Sequence, residues 1–303
     1  MTLNSGAEAI NLAVDIGGSK TIVALAYQNK IIATKQIPTS QNGFDEILRD
    51  FYLAFTNLCS ESSVNPKSIV SAVVASPGLL DIKNGVVIRA INLDWNSVSL
   101  VESFRNLLGF ENIVLESDKS CAALAEYSAR KGKHKNLLYF TASTGISCAF
   151  VIAGKVWGGS NNFAGEIGQT IIDGNEIDRS KTLERSASGG AILRDHGKLA
   201  AELQKESDEG NLDSRSKLVE AGKALGVAIF NQFQILDPEI CVLGGGLALG
   251  SDTYWQAVTE TLKSAESNSV KRRYLIERSF LGSDAVILGA VELSNTKEGL
   301  YYA

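Results

Sequence analysis

The chain has few residues of the kinds that form disulfide frameworks, zinc sites or histidine-based catalytic centres. Among its 303 residues are two histidines and four cysteines, and no two cysteines form a CxxC pair. Both histidines, His134 and His196, lie among charged neighbours, which is typical of surface positions. The cysteines lie in apolar contexts and are expected in the core. An enzyme built from this sequence would therefore take its general base from a carboxylate.

Positive charge and long apolar runs are also scarce. The net charge is −5 and the pI is about 5.3, whereas nucleic-acid surfaces neutralise phosphates with Lys and Arg, so no nucleic-acid partner is expected. The apolar stretches at 137–153 and 240–249 are interrupted before the roughly 18–20 residues that a membrane span requires. Residues 1–9 lack the features of a signal peptide. We expect a cytoplasmic protein that does not enter a membrane.

The remaining composition is typical of a folded enzyme, with 45% hydrophobic and 21% charged residues, and the length accommodates two lobes. Apolar spacing predicts helices at residues 44–59 and 216–236. Short aliphatic runs at 69–75, 112–115 and 239–243 are typical of buried strands. Their alternation predicts an α/β fold with mainly parallel central strands.

Two segments, residues 10–36 and 137–160, share a pattern of strand, turn, strand, turn and strand. They align without a gap at an offset of 125, which places Ser143 on Gly18 and Lys155 on Lys30. This weak internal similarity suits two lobes that each contribute a turn to a nucleotide site.

A pair of glycines follows the first predicted strand, in Asp15-Ile16-Gly17-Gly18-Ser19-Lys20-Thr21. Backbone N–H groups reach a phosphate best where no Cβ intervenes, which paired glycines allow. Asp15 is placed to hold the Mg²⁺ that bridges nucleotide phosphates. A plain hairpin turn is the structural alternative.

Three consecutive glycines, residues 244–246, follow the strand predicted at 239–243. A bare backbone there would admit a flat ligand such as adenosine, although a tight turn also accounts for it. Asp118 lies between a strand end and an Ala-rich helix. It suits either a helix-capping acid or a base that accepts a proton from an attacking hydroxyl.

Together these motifs resemble the ROK family (repressors, open reading frames and kinases) of the actin-like ATPase and sugar kinase superfamily. The resemblance extends over nearly the whole chain and includes Ser76-Pro77-Gly78, Asn92-Leu93-Asp94-Trp95, Ser143-Thr144-Gly145, the 162–168 segment and residues 281–290. It implies an α/β, two-lobed actin-like (ribonuclease H-like) ATPase fold with the active site in the interlobe cleft. The smaller lobe would comprise residues 1–118 plus 288–303 and the larger lobe 119–287.

The resemblance also implies a role for each matching residue, with Asp118 as the general base. The implied sugar-binding residues are Gly78, Asn92, Ser117, Glu166, Gln169 and Glu184. The implied ATP-binding residues are Asp15, Gly17, Gly18, Ser19, Thr21, Thr144, Gly145, Gly244, Gly245 and Gly246, with Mg²⁺ at Asp15. The implied reaction is ATP-dependent phosphorylation of a hexose or hexose-like substrate at its 6-hydroxyl, and a homodimer is expected.

The chain departs from the family pattern at several positions. Ser117 and Gln169 stand where Asn and His are usual, which favours an atypical sugar such as an amino-hexose or cyclitol. No cysteine lies between residues 149 and 240, so the family's structural zinc is not expected. Ser143, Ser147 and Cys148 replace glycines of the second phosphate loop, where each Cβ restricts positive φ.

These departures keep a second hypothesis open, a catalytically degenerate sugar sensor or regulator. Family repressors carry a helix-turn-helix before the first phosphate loop, and 14 residues precede Asp15, so DNA binding is not expected. A third hypothesis, an actin-like ATPase without a sugar substrate, is disfavoured by Ser76-Pro77-Gly78 and by Glu166.

Overall fold

The computed structural model describes residues 10–172, 174, 176–266 and 273–294. The chain divides into two compact units. Unit 1 is drawn from Met1–Ala125, Gly159–Phe163 and Asp284–Ala303, and unit 2 from Glu126–Gly158 and Ala164–Ser283. The lobe boundaries given above from the family resemblance stay a prediction.

The strands and helices alternate along the chain. The strands are β1 (Ile10–Ile16), β2 (Lys20–Tyr27), β3 (Lys30–Pro38), β4 (Ile69–Ser76), β5 (Leu79–Asp81), β6 (Val86–Ala90), β7 (Trp95–Val98), β8 (Ile113–Ser117), β9 (Asn136–Ala142), β10 (Ile146–Ile152), β11 (Lys155–Val156), β12 (Ile240–Gly244) and β13 (Ile276–Arg278). The α-helices are α1 (Phe44–Glu61), α2 (Leu100–Leu108), α3 (Asp118–Ala129), α4 (Leu183–Ala187), α5 (Gly189–His196), α6 (Ala200–Asp208), α7 (Leu212–Leu236), α8 (Gly246–Gly250), α9 (Asp252–Ser264) and α10 (Ala285–Ser294).

Unit 1 is built on a mixed sheet with the strand order β3-β2-β1-β4-β8. β1, β4 and β8 run parallel, and β2 and β3 complete an antiparallel ribbon. α1 and α2 supply the aromatic core, in which the Phe51 and Phe104 ring centroids lie 4.6 Å apart. Because parallel strands end at one edge, the chain segments after β1, β4 and β8 are brought together there.

Unit 2 repeats this arrangement with the order β11-β10-β9-β12-β13, in which β9, β12 and β13 are parallel. The long helix α7 packs closely on α9 through two glycines. A Cβ on Gly222 would lie 2.6 Å from the Tyr254 carbonyl oxygen, and one on Gly226 would lie 2.7 Å from Thr261 Cβ. Small residues on α7 therefore set the approach of the two helices.

The predicted elements are confirmed. The aliphatic runs at 69–75, 112–115 and 239–243 lie in β4, β8 and β12, and the two predicted helices lie in α1 and α7. The repeated pattern corresponds to two antiparallel ribbons, β1-β2-β3 and β9-β10-β11. The strands β5, β6 and β7, which form a separate small sheet, were not predicted. None of the described helices combines the length and the apolarity that crossing a bilayer requires.

Candidate active site

Two carboxylates lie at the carboxyl edge of the unit 1 sheet. Asp15 is the penultimate residue of β1, and Asp118 is the first residue of α3, directly after β8. β4 separates the two strands and pairs with both, Asp15 opposite Ala75 and Ser117 opposite Ser76. The parallel register therefore brings residues about a hundred positions apart in the sequence to one edge.

The pKa of Asp15 is strongly raised by its surroundings. Burial raises the pKa of Asp15 to about 7, the negative charge of Asp118 contributes to the increase, and the Lys20 ammonium acts against it. At neutral pH, Asp15 is thus close to half protonated. A divalent cation at this position would favour the ionised form, and carboxylate oxygens are the ligands that Mg²⁺ prefers. Because Mg²⁺ is commonly bound through one or two carboxylates together with substrate phosphates, Asp15 fits such an ion.

Asp118 is held by the start of its own helix. Its Oδ1 accepts a 2.6 Å hydrogen bond from the Lys119 N–H and lies 3.5 Å from the Ser117 hydroxyl oxygen. The side chain is half-buried. Beside it, the buried Glu116 accepts a 2.7 Å bond from the Ser117 N–H. Glu116 was not among the predicted site residues. Side chains in a strand alternate between two faces, so a position within a strand does not by itself identify a residue as part of a site.

The turn at residues 17–20, called here the first glycine turn, joins β1 to β2. It is closed by a 2.9 Å bond from the Gly17 N–H to the Lys20 carbonyl oxygen. A Cβ on Gly18 would lie 3.2 Å from Asn92 Cβ. Ser19 is exposed, whereas Thr21 is buried. Asn92, an expected sugar-binding residue, thus contacts the predicted phosphate turn inside unit 1.

Gly78 and Asn92 lie on connections of the small sheet of unit 1. Gly78 has a φ of +101°, and a Cβ there would lie 2.2 Å from the Arg89 carbonyl oxygen, so only glycine fits. Asn92 is exposed on the 3₁₀ turn Ile91–Leu93. Next to this turn is a cavity of about 530 Å³, whose lining includes Gln41 and Trp95.

In unit 2, residues 143–145, called here the second turn, join β9 to β10. The first N–H groups of α5 donate to carbonyl oxygens of this turn. The Gly189 N–H donates to the Ser143 carbonyl oxygen at 2.7 Å, and the Gly190 N–H donates to the Thr144 carbonyl oxygen at 2.9 Å. Planar trans peptides direct N–H opposite to C=O, so the N–H groups of Thr144 and Gly145 point to the other side. None of Ser143, Ser147 and Cys148 has a positive φ. The missing glycines therefore cause no backbone strain here.

Glu184 connects the second turn to the segment that contains Glu166 and Gln169. Its Oε2 accepts a 3.0 Å bond from the Ile146 N–H, the first amide after the turn. A Cβ on Gly145 would lie 2.6 Å from that oxygen, and one on Gly168 would lie 3.2 Å from it. The carboxylate of Glu184 is thus enclosed by two glycines from different segments.

Glu166 precedes the 3₁₀ turn Ile167–Gln169, and Gln169 is its last residue. The Gln169 N–H donates to the Glu166 carbonyl oxygen at 3.0 Å. Glu166 is half-buried and the Gln169 side chain is exposed. An exposed amide here can still donate and accept hydrogen bonds, as expected of a group that meets a polar ligand.

The three glycines at 244–246 have different surroundings. A Cβ on Gly244 would lie 2.3 Å from Tyr139 Oη. Gly245 has a φ of +91°, and its Cβ would lie 2.3 Å from the Ala142 carbonyl oxygen. A Cβ on Gly246 would lie 3.8 Å from Ser143 Oγ, which is an ordinary van der Waals contact. Packing inside unit 2 thus explains the first two glycines and leaves the third without an intramolecular reason.

The segment that carries zinc-binding cysteines elsewhere in the family is held here by hydrogen bonds. Ile171 and Thr182 form an antiparallel bridge, and Asp178 Oδ1 accepts from the Ser180 N–H at 2.9 Å. Among the described residues, no group of three or more His, Cys, Asp or Glu is arranged to hold a metal ion. Asp173, where this segment begins, lies outside the described residues. That the protein lacks zinc stays a prediction.

The predicted site residues thus form one group in each unit. Those in unit 1 are Asp15, Gly17, Gly18, Ser19, Thr21, Gly78, Asn92, Ser117 and Asp118. Those in unit 2 are Thr144, Gly145, Glu166, Gln169, Glu184, Gly244, Gly245 and Gly246. The residues that sequence reasoning missed are Glu116, which accepts from the Ser117 N–H, and those that hold the two turns: Thr39, Gln41, Gly189 and Gly190.

Comparison with known proteins agrees with this geometry. A glucokinase of Halalkalibacterium halodurans is 26% identical over 95% of this chain and 95% of its own length. A xylose repressor of Caldicellulosiruptor bescii is 23% identical over 82% of this chain and 68% of its own. The solved structure of a ROK hexokinase from Thermus thermophilus covers 94% of this chain and 97% of its own at 24% identity and a TM-score of 0.79, which confirms the predicted fold class. A sequence profile of the ROK family matches residues 11–297, and the chain belongs to that family.

Proposed function

We propose that this protein is a sugar kinase that transfers the terminal phosphoryl group of ATP to a hydroxyl of a hexose or hexose derivative, the 6-hydroxyl of a glucose-like ring. The observation that supports this most directly is the pair of carboxylates, Asp15 and Asp118, at one edge of the unit 1 sheet beside the first glycine turn. Phosphoryl transfer needs a metal-binding carboxylate, a base near the acceptor and N–H groups for phosphate. Unit 1 supplies all three.

In this proposal Asp118 accepts the proton of the attacking hydroxyl. The Lys119 N–H donates to its Oδ1 atom and holds the carboxylate at the start of α3. Asp15 would hold the Mg²⁺, which would supply positive charge to offset the charge that develops during phosphoryl transfer. Ser19 is exposed, so that its hydroxyl and N–H can meet phosphate oxygens, while Gly17 and Gly18 keep the approach free of Cβ atoms.

The sugar would be held by hydrogen bonds from exposed or half-buried polar side chains. These are Asn92, Glu166, Gln169 and Glu184, joined by the buried Ser117, and Gly78 shapes the connection that precedes Asn92. Glu184 accepts one bond from the Ile146 N–H and, because a carboxylate has about four lone-pair sites, retains capacity for sugar hydroxyls. Ser117 and Gln169 support a substrate that differs from plain glucose, such as an amino-hexose or a cyclitol.

Unit 2 would bind the nucleotide. The N–H groups of Thr144 and Gly145 are available for phosphate because α5 binds the carbonyl side of their turn. Gly246, where a Cβ would meet only Ser143 Oγ at 3.8 Å, would lie against the adenosine. The absence of strain at Ser143 favours a functional second turn.

A regulator that binds a sugar without phosphorylating it is the second candidate. The similarity to a repressor over 82% of the chain supports it, as does the loss of glycines at the second turn. Its distinguishing property is sugar binding without ADP formation.

A coupled ADP-release assay with Mg·ATP separates the two candidates. The panel comprises glucose, mannose, glucosamine and myo-inositol, with wild-type protein, Asp118→Asn and Asp45→Asn. Asp45 is an exposed acid in the first turn of α1, so its variant controls for loss of a first-turn helix charge. We expect turnover with at least one sugar, a fall of about 10²- to 10⁴-fold in Asp118→Asn, and no change in Asp45→Asn.

Absence of sugar-dependent turnover, together with sugar binding, would favour the regulator. Turnover that persists within tenfold in Asp118→Asn would contradict the assignment of the base.

A further inference from the structure

Residues 39–41, between β3 and α1, cover the carbonyl side of the first glycine turn. The Thr39 hydroxyl donates to the Gly17 carbonyl oxygen at 2.8 Å, and Gln41 Nε2 donates to that of Gly18 at 3.0 Å. The Thr39 N–H donates to the Ser19 carbonyl oxygen at 3.0 Å. Three successive carbonyl groups are thus bound by one short segment, called here the carbonyl-binding segment.

This arrangement fixes where the N–H groups of the turn point. In a planar trans peptide the N–H is directed opposite to the C=O, so holding the carbonyls of Gly17 and Gly18 directs the N–H groups of Gly18 and Ser19 to the opposite side. Successive N–H groups on one side form a concavity that attracts an anion. Turning any carbonyl back to that side would place a partial negative charge against a phosphate.

A second hydroxyl supports the first. Thr21 Oγ1 and Thr39 Oγ1 are 2.9 Å apart, and both side chains are buried. Because the single hydroxyl proton of Thr39 is directed to Gly17, Thr39 accepts at this contact and Thr21 donates. The hydroxyl proton of Thr21 therefore points to Thr39, away from any ligand, although the sequence pattern predicts Thr21 as a nucleotide-binding residue.

The segment also reaches the surroundings of Asn92. Gln41 lines the cavity next to the Ile91–Leu93 turn, and Asn92 packs against Gly18. The first glycine turn thus lies between the carbonyl-binding segment and Asn92. The segment donates hydrogen bonds to the carbonyl side of the turn, and these bonds do not involve the N–H side.

We propose that Thr39 is a positioning residue for nucleotide binding, supported by Thr21 and Gln41. It holds the carbonyls of the first glycine turn away from the phosphates and so keeps the N–H groups in their binding orientation. Thr21 acts through Thr39 and makes no contact with phosphate itself. This inference rests on the proposed kinase function.

The test is isothermal titration of Mg²⁺ with the non-hydrolysable ATP analogue AMPPNP into wild-type protein, Thr39→Val and Thr39→Ser. Valine has nearly the shape of threonine and leaves the Gly17 carbonyl oxygen without its donor, whereas serine keeps the hydroxyl. Loss of a partner for a polar group of this kind predicts a Kd about 5- to 100-fold higher for Thr39→Val. Thr39→Ser should remain within about threefold of wild type.

Two further variants control for folding. Thr34→Val makes the same change at an exposed position on β3 and should leave the Kd unaltered. Gln41→Leu removes the bond to Gly18 from an exposed side chain, so it tests the segment even where Thr39→Val fails to fold. Its Kd should rise about 2- to 10-fold. Melting temperatures without nucleotide identify any variant whose fold has changed.

A Kd for both Thr39→Val and Gln41→Leu that equals the wild-type value would overturn the inference. A lower melting temperature with unchanged affinity would likewise show a purely structural role. Absence of Mg·AMPPNP binding by wild-type protein would instead overturn the proposed kinase function, and with it the inference built on it.

Discussion

Replacing Asp15 by Asn should change how the stability of this protein depends on pH. Burial and the nearby charge of Asp118 raise the pKa of Asp15 from the ordinary 3.8 to about 7. Between these values the folded protein binds more protons at this site than the unfolded chain, so the free energy of unfolding falls as the pH rises. The stability associated with the protonated carboxyl is complete below about pH 4, is lost progressively as the pH rises from about 4 to about 7, and is gone above that range.

The structure sets the size of this effect. Because a tenfold change in a proton equilibrium corresponds to about 1.4 kcal/mol, the interval from 3.8 to about 7 amounts to about 4 kcal/mol as an upper bound. Asn has nearly the shape of Asp but carries no charge at any pH, so Asp15→Asn should remove this pH dependence. We expect the variant to exceed wild type in unfolding free energy by up to about 4 kcal/mol near pH 8 and by only about 1 kcal/mol near pH 4.5.

Urea unfolding in the presence of EDTA at both pH values measures the difference. EDTA is needed because a divalent cation at Asp15 would stabilise the ionised carboxylate and conceal the effect. Asp45→Asn, at an exposed position, is the matched control and should follow wild type at both pH values. A difference between wild type and Asp15→Asn that is the same at both pH values would refute the burial argument. The same variant should lose Mg-dependent nucleotide binding.

Three further predictions concern unit 2. Gly245→Ala forces a Cβ to within 2.3 Å of the Ala142 carbonyl oxygen at a φ of +91°, so its unfolding free energy should fall by about 2–5 kcal/mol in urea titrations. Gly246→Ala places its Cβ no closer than 3.8 Å to Ser143 Oγ, so it should keep wild-type stability and bind Mg·AMPPNP about tenfold or more weakly in calorimetry; unchanged affinity would exclude this glycine from the adenosine contact. Glu184→Gln keeps an acceptor for the Ile146 N–H, so steady-state kinetics should show a higher KM for the sugar with little change in the KM for ATP; the reverse pattern would assign Glu184 to the second turn alone.

Local pattern predicted much of the fold. The strands β4, β8 and β12 appear in the sequence as aliphatic runs, because parallel strands buried on both faces need apolar residues at nearly every position. The similarity between residues 10–36 and 137–160 predicted two ribbons, since turn chemistry and strand alternation are properties of adjacent residues. β5, β6 and β7 were missed because they have only three to five residues each.

The motifs also identified Asp15, Asp118 and the glycine turns as candidates, because each lies where a strand ends. Sequence alone left the alternatives for these positions undecided. That Asp118 lies at the same sheet edge as Asp15 depended on the β1-β4-β8 order, which no local pattern encodes, and its role as base or helix cap stays a prediction. Whether a given glycine was needed for packing depended on atoms from distant segments. A Cβ on Gly78 would clash with the Arg89 carbonyl oxygen at 2.2 Å, whereas one on Gly246 would lie 3.8 Å from Ser143 Oγ.

The sequence by itself thus determined the order of the elements, the α/β class and the chemical types of the residues at the strand ends. These depend on hydrophobic periodicity and turn propensity over a few neighbouring residues. Only the tertiary structure decided which groups hold the turns: Thr39 and Gln41 behind Gly17 and Gly18, and the start of α5 behind Ser143. Those bonds join residues about 20 to 45 positions apart, and sheet order and strand register, which follow from packing of the whole unit, bring them within 3.0 Å.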